Sequence, residues 1–594
     1  MRLKLPALVF SALTLLPAVA LAADAKPDLA TRRKALDALI AEQWEYNLST
    51  NPEFASILGD RRWNDKSSEV SQAAVDRDLA KSREFLARFE AIDTTGFPEQ
   101  EALNKTLMVR DLRQGLDNAR FEGWLTPVNQ MGGIHLDAPQ FTALLPFETV
   151  KDYEDYATRL RNLPGQIDGT IAFMRDGMKK HLMPPQFLLG KVADQASGIA
   201  GRKPEESPFA MPLGKMPETF AAADKERLRT AILAAIKDQV IPAYTRFATF
   251  VAKEYAPAGR TEVGLWSLPD GEARYAARVK TSTTTAMTPE EIHQLGLREV
   301  ARIEGEMLAI AKQLGFADLK SFNASLGTNE ALKAKSGDQI VALYRQHIDE
   351  MQAKLPQLFG RLPKAKVEVV PMEDYRAASA AAADYIQGTP DGSRPGKVNV
   401  NTHEATTRKT ISVETTAYHE GVPGHHMQIS IQQELPELPP FRQQGGNTAY
   451  VEGWALYSER LGRDVGFFKD PYSLYGHLQD EMLRAIRLVV DTGLHYKKWN
   501  RAQVVQFFHD HSAIDEVEVQ SETDRYIVWP GQALGYKIGQ LKILALRDKA
   551  KAALGGRFDI RAFHDEILGA GSLPLDVLET RIDAWIAAQK KAAA

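Results

Sequence analysis

The chain has 594 residues, 44% hydrophobic and 25% charged, enough to bury a large core in one bilobal unit or in several domains. Its 73 basic and 77 acidic residues nearly cancel, which excludes a general electrostatic attraction to nucleic acid or anionic lipid. Cysteine is absent, so disulfides, thiol catalysis, iron–sulfur centres and a lipid-modified N-terminal cysteine are excluded, and any metal must be held by His, Asp or Glu.

In chain order, Arg2 and Lys4 precede a short apolar run over 5–19 and a small-x-small end at Ala20-Leu21-Ala22. This predicts a cleaved secretory signal over 1–22; Pro17 and the short run argue against a membrane anchor. The mature chain is therefore expected in the periplasm or secreted, free of the membrane. Residues 23–285 read as an N-terminal helical region. Apolar residues recur at three- and four-residue spacing over 28–48, 67–89, 153–178 and 225–255. Pro- and Gly-rich stretches at 201–217 and 257–271 read as surface loops. A soft boundary is placed near 285, with one core shared by the two halves as the alternative, and 286–594 reads as a C-terminal helical region. It opens on a helix start, with Thr288 as cap, Pro289 in the first turn and Glu291 completing a capping box; Gly315 stops that helix. Two β-branched runs, 366–370 and 397–401, flank an Ala-rich stretch and a turn-rich one. They predict a small sheet beside the segment that follows.

Three of the 13 histidines, His419, His425 and His426, fall within eight residues, and Glu420 directly follows the first. Zinc hydrolases need two neutral imidazoles, an anionic third ligand and an open position for water. They also need a carboxylate beside the first His to take that water's proton. The usual arrangement is HExxH on one helix. Here six positions separate His419 from His425, a rise of about 9 Å and a turn of about 600° on a regular helix, which would keep the rings apart. Pro423 and Gly424 make a regular helix implausible. A shared metal requires that Gly-Val-Pro-Gly bulge and return His425 to the helix face, with His426 pointing elsewhere. A plain Gly/Pro turn with incidental surface histidines is the weaker alternative.

A third ligand is expected from another helix. Glu452 and Glu459 are seven apart, on one face of the stretch ending at Gly462, and suit a ligand plus a residue that orients a His. Read alone, they would be surface acids. Arg487, Asp491 and His495 repeat every four residues on a strongly apolar stretch. This predicts either a buried polar network or surface ion pairs. Tyr526, Arg525, Tyr536 and His495 are candidate donors for the negative oxygen that amide hydrolysis builds. His403-Glu404 lacks a partner at useful spacing, and His509-Asp510-His511 reads as surface. No serine elbow, P-loop or dinucleotide fingerprint is found.

The motifs HEGVPGHHMQ, YVEGWALYSERLG, RLVVDTGLHYKKW and WPGQALGYKIGQ closely resemble the bacterial domain-of-unknown-function family 885 over most of the mature chain. That family is similar to the helical zinc peptidases that include thimet oligopeptidase, the Taq-type carboxypeptidases and angiotensin-converting enzyme. The resemblance implies a mainly α, large bilobal fold with a deep channel and the small sheet near the metal. It implies His419, His425 and Glu452 as zinc ligands, with the Gly-His step at 424–425 favouring His425 over His426. It further implies Glu420 as general base and Tyr536 as the transition-state tyrosine. Those relatives carry a second donor His upstream of the Tyr; this chain has none there, which leaves Arg525 or His495. The expected activity is hydrolysis of short peptides by a zinc metallopeptidase. A zinc hydrolase of non-peptide amides or esters and a non-catalytic peptide- or metal-binding protein are the alternatives. The sequence does not set the oligomeric state.

Overall fold

Apolar residues at helical spacing, closed off by capping side chains, build the N-terminal layers. The computed structural model describes residues 27–372, 377, 380–388 and 395–591; the signal segment 1–22 lies outside them. Helix α1 (Leu29–Thr50) starts where Asp28 accepts from Thr31 N, and α2 (Gln72–Ala91) where Ser71 accepts from Ala74 N. Next come α3 (Glu99–Ala119), α4 (Val150–Lys179), opened by a Thr149/Asp152 capping box, and α5 (Gln186–Ala200). The predicted helix over 225–255 forms in pieces. Ala222–Ala235 and Ile241–Phe250 are each followed by a π-helical turn, Ile236–Val240 and Val251–Tyr255. Pro242 lacks an N–H for the preceding turn, a reason for the first irregularity.

Helix α6 (Gly271–Thr283) leads to α7 (Pro289–Gln313), whose Thr288/Glu291 capping box forms as the sequence predicts. After α8 (Gly337–Gln352) come three strands, β1 (Val367–Pro371), β2 (Ala383–Ile386) and β3 (Gly396–Val400). β3 lies in the middle, parallel to β1 and antiparallel to β2. β2 (Ala-Asp-Tyr-Ile) lies at the end of the Ala-rich stretch, where only Tyr385 and Ile386 favour a strand, so the sequence reading found only its two neighbours. The remaining frame is α9 (Val413–Glu420), α10 (His425–Gln433), α11 (Thr448–Asp464), α12 (Pro471–His495), α13 (Glu516–Val528), α14 (Leu534–Leu554) and α15 (Leu575–Lys591). The protein is mainly helical with one small sheet, and no helix among the described residues is long and apolar enough to cross a membrane.

Two contacts fix this frame. α11 and α14 cross at glycines: a Cβ on Gly453 would lie 2.4 Å from Gly539 Cα, and one on Gly539 would lie 1.9 Å from Ala449 O. Only glycine permits so close an approach. The second contact is a buried charge knot. Lys537 of α14, fully buried, reaches Glu481 of α12 at 2.7 Å and Glu299 of α7 at 3.1 Å. Arg302 and Arg460 also contact Glu481, at 2.7 and 3.1 Å. The cores interlock across residue 285. Leu107 of α3 and Tyr275 and Val279 of α6 pack into the core around α9, α11 and α14, and Leu188 of α5 into that around α7 and α12.

Candidate metal centre

α9 ends at Glu420 and α10 begins at His425, so Gly421-Val-Pro-Gly424 forms a tight turn between them. The Val422–Pro423 peptide is cis. Gly424 N donates to Tyr418 O at 3.0 Å, and Trp454 Nε1 of α11 donates to Pro423 O at 2.8 Å. A Cβ on Gly424 would sit 2.0 Å from His419 O, so the turn folds back onto the helix only through a glycine. The consequence is the return that the sequence requires: the rings of His419 and His425 stand 4.8 Å apart, nearly perpendicular at 88°. One ligand atom from each of His419, Glu420 and His425 lies within 4.8 Å of the others.

Helix α11 completes the cluster. Glu452 Oε2 is 3.5 Å from His425 Nε2 and 3.8 Å from His419 Nε2. Two turns on, Glu459 Oε1 lies 2.8 Å from His419 Nδ1. That contact suits an N–H on Nδ1 and turns Nε2 toward Glu452. Glu459 Oε2 accepts from Thr415 Oγ1 at 3.1 Å and sits 3.5 Å from His477 Nδ1. Sequence reasoning missed Thr415 and His477; Thr415, four residues before His419 on the same helix face, was the available signal.

The residues fit zinc. A tetrahedral ion with ligand bonds of about 2.0–2.1 Å needs donors about 3.3 Å apart, and Glu452 meets the two imidazoles at 3.5 and 3.8 Å. The donor set, two imidazoles and a carboxylate, is one zinc accepts. Charge points the same way. Glu420, Glu452 and Glu459 crowd two imidazoles. Burial alone would lower the His419 pKa, but its contacts with Glu452 and Glu459 and the charge of Glu420 push it up to about 10. Burial would raise Glu452, but His425 and His419 hold it well below the usual carboxylate range. Burial pushes Glu420 up against the pull of both histidines. A divalent cation would offset this excess of negative charge.

His426 faces away. It is buried, with Nδ1 3.1 Å from the Tyr385 hydroxyl on β2 and Nε2 3.2 Å from Ala365 O, so it ties α10 to the sheet. His495 is placed elsewhere too. Its Nδ1 accepts from Leu265 N at 3.0 Å and its Nε2 lies 2.9 Å from Tyr526 O, which leaves no nitrogen for a substrate oxygen. Tyr536, Arg525 and Arg487 pack against one another. Arg525 Nη2 lies 3.4 Å from the Tyr536 hydroxyl, and the Arg487 guanidinium stacks 4.6 Å from the Tyr536 ring. Arg487 donates to the Tyr526 hydroxyl at 3.0 Å and to Glu522 at 2.9 Å. Asp491 accepts from Tyr275 OH at 2.7 Å and from Gly531 N at 2.9 Å. The stripe of Arg487, Asp491 and His495 is thus a buried network.

Comparison with known proteins follows this geometry. The model of the family described as "Bacterial protein of unknown function (DUF885)" matches residues 52–582. No curated protein matches the chain. A solved candidate lipoprotein from Colwellia psychrerythraea is similar over 94% of this chain and 99% of its own, at 28% identity and a TM-score of 0.89. A candidate lipoprotein of unknown function from Shewanella oneidensis covers 92% of this chain and 99% of its own, at 17% identity and a TM-score of 0.70. Trypanosoma cruzi metallocarboxypeptidase 1 aligns over 93% of this chain and 96% of its own, but at 12% identity and a TM-score of 0.34, too slight a likeness to argue from. By the extent of the family match, the chain belongs to the DUF885 family of bacterial proteins of unknown function.

Proposed function

We propose that this protein is an exported zinc-dependent metallopeptidase that hydrolyses short peptides. The observation that carries the reading is the convergence of His419 Nε2, His425 Nε2 and Glu452 beside the Glu420 carboxylate, with Glu459 behind His419. His419, His425 and Glu452 would hold the ion. Zinc, when bound, supplies Lewis-acid polarisation of a carbonyl and of a water. Glu420 accepts the proton of the attacking water and passes it to the leaving amine nitrogen; its burial-raised affinity for protons suits that return. Tyr536, with its hydroxyl beside Arg525, is the proposed donor to the carbonyl oxygen as charge builds there. Export rests on the secretory pattern of residues 1–22.

Metal analysis of the purified mature chain, followed by a panel of short peptides and non-peptide amides and esters, tests the reading. About one zinc per chain is expected in wild type and in His426→Ala, and none in His425→Ala. Glu420→Gln should keep the zinc and lose peptide turnover by about a thousandfold or more. Wild type that takes up no zinc, or Glu420→Gln that retains full turnover, would sink the proposal. Zinc with turnover of amides or esters alone would move the assignment to a non-peptide hydrolase.

A further inference from the structure

Away from the metal cluster, a cavity of about 530 Å³ opens between α2, α3, α6 and the end of α13. Its walls are mostly apolar, from Val75, Leu79, Trp124, Leu182, Ile527 and Pro530. Its charged lining is lopsided: three guanidinium groups, Arg260, Arg274 and Arg278, face one carboxylate, Asp78. Asp78 is already engaged, accepting from the Tyr46 hydroxyl at 2.6 Å and lying 3.6 Å from Arg77 Nε. Arg260 is spent on the backbone carbonyls of Met183, Glu262 and Gly264. Arg274 is spent on those of Pro269 and Phe121.

Arg278 differs. Among the described residues it makes no hydrogen bond, ion pair or ring contact, although it lines an apolar concavity. Arg278 is exposed, so its guanidinium is open to a ligand arriving from solvent. A guanidinium with no partner of its own binds a planar anion through two parallel N–H donors. The volume lies within the range of small-molecule sites, which pair apolar walls with a few polar anchors.

We propose that this cavity is a binding site for a small organic carboxylate with an aromatic or branched apolar body, its carboxylate on Arg278 and its body against Trp124 and Leu79. A carboxylate matches one free cation among apolar walls. A phosphate dianion would bring a second charge that no unspent group answers. The site is separate from the metal cluster, so failure of the peptidase reading leaves it standing.

Isothermal titration of the full mature chain with 4-phenylbutyrate, and with its uncharged amide, tests the site in wild type and in Arg278→Gln. The Arg278 side chain makes no bond among the described residues, so this substitution removes none there. Saturable binding of the carboxylate with Kd of about 1 mM or tighter is expected in wild type. The amide, and the carboxylate on Arg278→Gln, should each bind about tenfold or more weakly, as loss of a charge-assisted pair requires. The proposal is overturned by no saturable binding up to about 10 mM, by equal binding of the amide, or by wild-type affinity in Arg278→Gln. That last result would place the probe elsewhere, for instance on a metal.

Discussion

Glu459 touches no substrate, yet it decides which face of His419 is available. By accepting from Nδ1 it fixes the tautomer that presents Nε2 toward Glu452. On the proposed zinc reading, Glu459→Ala should weaken the ion about 10- to 100-fold while leaving the ligand set intact. Competition against a chromogenic chelator measures this directly; unchanged affinity would mean that His419 needs no such partner. At this scale the cluster is legible because its members sit in two short stretches, 419–425 and 452–459, where spacing carries the information. His477 was not, because it reaches Glu459 from another helix, whereas Thr415, one turn before His419, could have been found. His495 shows the opposite failure. Its four-residue spacing from Asp491 is real, but its ring is consumed by the backbone at Leu265 and Tyr526.

Between elements, the knot of Lys537, Glu481, Glu299, Arg302 and Arg460 pins α7, α11, α12 and α14 together. Glu481, fully buried, is its hub. Burial would push Glu481 up, but the surrounding cations hold it far below the usual carboxylate range. Glu481→Gln keeps the shape but takes a carboxylate from three cations: Lys537 retains Glu299, Arg302 retains Glu299 and Glu306, and Arg460 retains no acid among the described residues. It should cost about 3–5 kcal/mol, the loss expected when one partner leaves a buried ion network. Urea unfolding would read this as a lower midpoint with little change in slope, and a midpoint within error of wild type would show the knot to be neutral. The helices of this region are legible from apolar periodicity and from the Thr288/Glu291 box. The knot was not, since its members come from four stretches that look like ordinary charged helix faces. β2 escaped because its four residues, Ala-Asp-Tyr-Ile, are too few to show a pattern of their own and take their conformation from pairing with β3.

Across the whole molecule, the buried carboxyl of Asp491 bears on stability. Burial pushes it up to about 7 from an ordinary 3.8, despite bonds from Tyr275 and Gly531. Over that window the folded chain holds a proton that the unfolded chain releases. The stability from this group is thus present below pH 3.8 and is lost as pH rises toward about 7. Asp491→Asn can still accept both hydrogen bonds without the charge. It should match wild type in mild acid and melt higher above neutral pH, by roughly a few kcal/mol of stability at most. Parallel melting profiles for the two proteins would exclude the effect. The sequence reading placed a boundary near 285; α3, α5 and α6 send Leu107, Leu188, Tyr275 and Val279 into cores built mostly from later helices. Such packing is non-local, and composition alone carries no trace of it.

The folded-back turn at Gly421–Gly424 bears on how related sites are found. What a shared ion requires is that two imidazoles meet, not that a set number of residues separates them. Two additional residues are absorbed here by folding the turn back onto the helix, and the two rings still meet. A pattern keyed to a fixed interval would pass over this chain. One that allows a Gly-flanked insertion, and then asks for an acid pair seven apart downstream, would retrieve it.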